Sequence, residues 1–76
     1  MKRSEVEAAM PHLCAEWARE AGQPWPPDSK HQYDFGSFWS WLEDNHRLYT
    51  QFRAEPNPRY VCEIWFNRIT RQAWRD

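Results

Sequence analysis

Five side chains in this sequence have types that do chemistry near neutral pH: Cys14, Cys62, His12, His31 and His46. A zinc site needs ligands at chelating spacing, such as C-x-x-C or two histidines one helical turn apart. Neither pattern occurs. On a helix His12 and Cys14 would point about 200° apart, so they cannot hold one ion together. A thiol nucleophile needs a base and an orienting group in the same cleft. Cys14 instead borders an apolar stripe, where a cysteine packs as a small hydrophobe. His46 falls on the apolar face of an expected helix. The sequence therefore assigns no catalytic residue, no cofactor, no metal ligand and no small-molecule substrate.

Arginine and tryptophan carry the remaining chemistry. Residues 59–76 sum to +2, against −1 for 1–22 and −2 for 23–58. On a helix Arg68, Arg71 and Arg75 share one side at spacings of three and four, continued toward the N-terminus by Tyr60 and Ile64. Such a stripe meets an acidic protein surface or a phosphate backbone. It also suits the negative end of a helix and keeps an apolar helix soluble. Trp74 falls on the polar face with Arg59, Glu63, Asn67 and Thr70, and Trp with Arg is the pairing enriched in binding hot spots. A second candidate edge joins Trp41 to Leu48, one heptad apart, with Phe52 nearby. The candidate partner-binding residues are thus Trp74, Arg68, Arg71, Arg75, Trp41 and Leu48.

The totals limit what these residues can serve. Seventy-six residues with six Trp, four Phe and three Tyr make a single domain over 1–76. Aliphatic residues are few, so the aromatics must stand in for them as core. Each buries about 150–250 Å². A net charge of −1 argues against a DNA mimic and against a general nucleic-acid coat. The start MKRSEVEAAM lacks the apolar run of a signal peptide, and no stretch approaches the ~18 apolar residues of a membrane span. Two cysteines make no disulfide framework. The expectation is a soluble, cytoplasmic protein.

Three helical patterns must position the candidates. In the first, over about 4–21, Ser4 and Glu7 read as a capping box. Val6, Met10, Leu13, Trp17 and Ala21 form its stripe, and Gly22 and Pro24 stop it. Pro11 interrupts it and either kinks the helix or starts it. A proline-rich loop over 23–33 follows, with Trp25 between prolines. The second helix, over about 35–53, is capped by Asp34. It has an apolar arc about 180° wide, broader than one helix contact needs. Trp39 and Trp41 lie about 200° apart on it, one at each margin of the arc. The third, over about 58–74, opens at Asn57-Pro58 and turns Val61, Cys62, Trp65, Ile69 and Ala73 inward.

The expected fold is all-α, a small three-helix bundle with an aromatic-rich core. The alternative is α+β, with RLYTQF and RYVCEIWF forming a C-terminal hairpin. The expected function is a small non-enzymatic protein-interaction module: an accessory, adaptor or inhibitor that binds a protein partner or a second copy of itself. The alternative is a small nucleic-acid-binding helical protein that uses the third-helix arginines.

Overall fold

The computed structural model of the chain describes residues 2–27 and 31–75, with side chains described through Thr70. Three α-helices pack against one another, and the described residues contain no strand, which removes the hairpin alternative. They are α1 (Arg3–Ala21), α2 (Phe35–Asn45) and α3 (Pro58–Arg75), with a short 3-10 turn at Arg47–Thr50 between the last two.

The helix starts and stops follow local chemistry. Asp34 accepts the Ser37 backbone N–H at 3.0 Å and the Ser37 hydroxyl at 2.8 Å, opening α2. Asn57 accepts the Tyr60 N–H at 2.9 Å, opening α3 with Pro58 at its first position. Gly22 closes α1 at φ 74°, a left-handed conformation that a side chain disfavours. The first cap differs from expectation. Helix α1 begins one residue before Ser4, and the Glu5 carboxylate accepts the Lys2 backbone N–H at 3.0 Å, so Ser4 and Glu7 do not form the box.

Pro11 does not start the helix. α1 runs through it, held by Met10, Leu13, Cys14 and Trp17 on the buried face while the proline ring faces solvent. Its missing N–H leaves the Glu7 carbonyl without the usual partner four residues on, a loss that water can offset on an exposed face.

The second helix is shorter than the 35–53 expected. It ends at Asn45, with His46 at φ −141° breaking the helical path. The Asn45 side-chain amide donates to the Trp41 carbonyl at 2.9 Å, and the Thr50 hydroxyl donates to the Arg47 carbonyl. These side chains offer the backbone local alternatives to a continuing helix. Glu43 and Asp44 also lie at the helix C-terminus, where negative charge is unfavourable. The wide apolar arc is thereby split between a helix and a turn.

The core is a network of rings. Trp17 of α1 meets Tyr33, Phe38 and Phe66 edge-on at centroid distances of 6.5, 5.7 and 5.6 Å. Phe38 of α2 stacks on Phe66 of α3 at 5.1 Å. Phe52 stacks on Trp65 at 6.0 Å and brings the 46–57 connection back over α3. Edge-to-face and offset pairs of this kind add about 0.5–1.5 kcal/mol each beyond the area they bury. Tyr33 carries Trp25 at 6.2 Å and donates its hydroxyl to the Pro24 carbonyl at 2.7 Å, which fastens the proline-rich loop to the core.

The inward face of α3 is rotated relative to expectation. Phe66 and Thr70 are buried along with Val61, Cys62 and Trp65. Thr70 can be buried because its hydroxyl donates to the Phe66 carbonyl at 2.8 Å. On α1, Cys14 and Ala18 extend the buried stripe, while Ala21 is exposed.

Candidate functional site

Among the sequence candidates, Arg68 lies on the outward face of α3, exposed and with no hydrogen bond or ion pair to another described residue. The side chains of Trp74, Arg71 and Arg75 lie outside the described residues. Trp41 is half-buried and committed within the fold. Its ring lies 6.0 Å from Phe38 and 5.1 Å from His46, and its indole N–H donates to Glu20 Oε1 at 3.1 Å. Leu48 is 65 % exposed in the 3-10 turn. Because α2 ends at Asn45, Trp41 and Leu48 do not share a helical edge.

The outward face of α3 is built by register. Tyr60, Ile64 and Arg68 recur every fourth residue, so they line up one turn apart. Tyr60 and Ile64 are 50 % and 40 % exposed, and with Leu48 they are the exposed large hydrophobics of the described residues. Beside this stripe a notch of about 160 Å³ opens between α1 and α3. Met10, Pro11, Trp65 and Ile69 line it, with Glu7 and Arg68 as its charged members. The Arg3 guanidinium lies 5.7 Å from the Trp65 ring centre, adding a second cation near this side.

A larger opening, a groove of about 530 Å³, lies on the opposite side of α3. One wall is the α3 stripe Arg59, Glu63, Asn67 and Thr70, and the other is the segment 31–36 leading into α2. Asp34 is extended at φ −86°, ψ 114°. The Arg59 guanidinium sits 5.2 Å from the Phe35 ring centre, which fixes its place at one end. Glu63 and Asn67 are half-buried, and the side chains of Arg59, Glu63 and Asn67 make no hydrogen bond or ion pair with another described residue. Gly36 lines the same wall at the start of α2. Sequence spacing did show the stripe as a polar face. That a loop would fold over and turn it into one wall of a groove could not be read from periodicity.

Both cysteines lie in the core, and His46 packs among aromatic rings. Cys14 and Cys62 are fully buried and unpaired. Burial pushes both thiols up to about 12, and for Cys14 the neighbouring Cys62 adds to the effect, so neither offers a thiolate near neutral pH. His46 stands between Trp41 and Tyr49, with Nε2 3.4 Å from Glu16 Oε2. His12 approaches the other Glu16 oxygen at 3.9 Å. Among the described residues no three His, Cys, Asp or Glu side chains converge to hold a metal ion. No described helix is long and apolar enough to cross a membrane.

No family model matches the chain, and no curated protein and no solved structure matches it significantly.

Proposed function

We propose that this chain is a small non-enzymatic protein-interaction module. The observation that carries the reading is the outward stripe of α3, where exposed Tyr60 and Ile64 lead to an unpaired Arg68. Apolar anchors next to a free guanidinium suit a partner that presents an acidic, partly apolar helix, with a few residues supplying most of the affinity. By sequence the same register continues through Arg71 to Arg75, which favours an acidic partner further. A reducing compartment such as the cytoplasm suits its two free, buried thiols.

The test is an amide and indole NMR titration with two probes: a Glu- and Leu-rich amphipathic helical peptide and a mixed-sequence DNA duplex, each at low and high salt. The peptide is expected to shift the amides of Tyr60, Ile64 and Arg68, and Ile64→Asp and Arg68→Glu to abolish the shifts. If the duplex alone shifts α3 at low salt and releases it at high salt, the arginine stripe serves nucleic acid and the reading is wrong. Concentration-dependent shifts of the free chain at the same residues would make a second copy the partner.

A further inference from the structure

The groove between segment 31–36 and α3 has the features of a recognition site that the fold itself leaves unused. Polar side chains that line a groove and make no bond within the fold keep their hydrogen-bonding groups for water or for a bound partner. Among the described residues Glu63 and Asn67 bond to none, and Arg59 is positioned by the Phe35 ring without an ion pair. Gln32, on the opposite wall, also makes no hydrogen bond.

The shape of the groove narrows the choice of occupant. It is bordered by the exposed residues His31, Gln32, Asp34 and Arg59. A small ligand in its own pocket has about 70–90 % of its surface covered. An open trough suits a chain that enters at one end and leaves at the other. Nucleic acid fits poorly, because the Asp34 and Glu63 carboxylates line the trough.

The spacing of the groups narrows it further. Arg59, Glu63 and Asn67 are four residues apart, so they recur about every 6 Å along the helix axis. In an extended peptide, residues i and i+2 point the same way and recur about every 6.7 Å. Over two repeats the mismatch is about 1.4 Å, within reach of side-chain adjustment. The opposite wall is irregular backbone over 31–34 followed by the first residues of α2, so an extended segment in the groove would lie between a helix face and a non-helical stretch of chain.

We propose that this groove binds an extended peptide segment of another protein that carries an acidic and a basic residue two positions apart, the acid on Arg59 and the base on Glu63. Asn67 then meets the next residue facing the helix, with an amide that both donates and accepts. The site is separate from the outward stripe of α3 and stands or falls independently of it.

The experiment uses the intact chain and four pools of short fluorescein-labelled peptides. The pools fix Glu-x-Lys, Lys-x-Glu, Glu-x-Glu or Lys-x-Lys at the centre and leave uncharged random flanks. Anisotropy reads affinity, and amide NMR maps the site. One of the two mixed pools is expected to bind best, depending on chain direction, with shifts over 31–36 and 59–70. Glu63→Lys is expected to weaken that pool roughly three- to tenfold and to move the preference to Glu-x-Glu. Arg59→Glu is expected to move it to Lys-x-Lys. A residue that served only stability would lower every pool alike. Glu63→Gln gives a second reading in case the charge reversal disturbs the fold, and is expected to erase the preference for a base. Equal binding of all pools, or no binding, overturns the proposal. Binding that shifts only Tyr60, Ile64 and Arg68 also overturns it, while leaving the outward stripe as a protein-binding surface.

Discussion

Trp41 of α2 donates its indole N–H to Glu20 of α1 across 3.1 Å, so a residue with the look of a surface anchor is one of the ties between two helices. Its ring covers Phe38 at the same time. Trp41→Phe keeps much of the ring and removes the donor. The expected loss is about 0.5–1.5 kcal/mol, toward the lower end because the bond is exposed. Glu20→Gln keeps an acceptor oxygen and should cost less. Urea unfolding followed by circular dichroism checks both, and a loss above that of a core deletion would mean that Trp41 carries packing not described above.

Trp17 touches rings from the loop, α2 and α3. Trp17→Ala should cost about 3–5 kcal/mol. A chain of this size has roughly 4–11 kcal/mol in total, so the variant should be largely unfolded at moderate temperature. Trp17→Phe, which keeps a ring, should remain folded with a lower melting temperature. Near-ultraviolet circular dichroism distinguishes the two outcomes.

The two thiols set an alkaline limit. Burial, together with Cys62 in the case of Cys14, holds both folded thiols near 12, whereas the unfolded ones ionise from about 9. The unfolded state therefore releases protons first, and stability present below pH 9 is lost as pH rises toward 12. The slope reaches at most about 1.4 kcal/mol per pH unit for each thiol. Urea midpoints measured from pH 7 to above pH 10 should fall, and more shallowly in Cys14→Ala and Cys62→Ala.

Asp34 acts at the other end of the scale. The Ser37 hydroxyl and backbone N–H hold its carboxyl below 3.8, with the Gly36 N–H helping. The stabilisation is present above the unfolded pKa and is lost as pH falls through the lower folded value. Asp34→Asn should keep the cap near neutral pH and remove this share of the acid sensitivity. Asp34→Ala should lower the melting temperature at neutral pH as well. Thermal melts at pH 2 to 7 test both.

Leu48 separates the observed turn from a continuous second helix. In a helix over 35–53 it would belong to the apolar arc and be costly to change. At 65 % exposure, Leu48→Ser should move stability by no more than about 0.5 kcal/mol. A loss of several kcal/mol in urea unfolding would place Leu48 inside the core.

The parts of this fold that sequence revealed are those set by neighbours in the chain. Asp34, Asn57-Pro58 and Gly22 announce helix ends because their side chains, ring or missing Cβ act within a few residues. The stripe from Val6 to Trp17 announces a buried face because four side chains recur at the helical period. The end of α2 was hidden because Leu48, Tyr49 and Phe52 continue the apolar arc. The break depends on hydrogen bonds from Asn45 and Thr50, which hydrophobic spacing does not measure. Thr70 read as polar because burial of its hydroxyl requires the Phe66 carbonyl four residues earlier. The groove needed segment 31–36 to lie across Glu63 and Asn67, a relation between elements that are distant in sequence.

Trp17, Phe38 and Phe66 form a closed triangle, with each ring touching the other two. Each comes from a different helix, so changing the size of one ring alters the seating of both others. Effects of substitutions at these three positions will not add. Over evolutionary time they form one unit of inheritance: a lineage that replaces one ring meets selection at the remaining two. Descendants of this chain should therefore exchange the three positions as matched sets, while singly changed intermediates are rare.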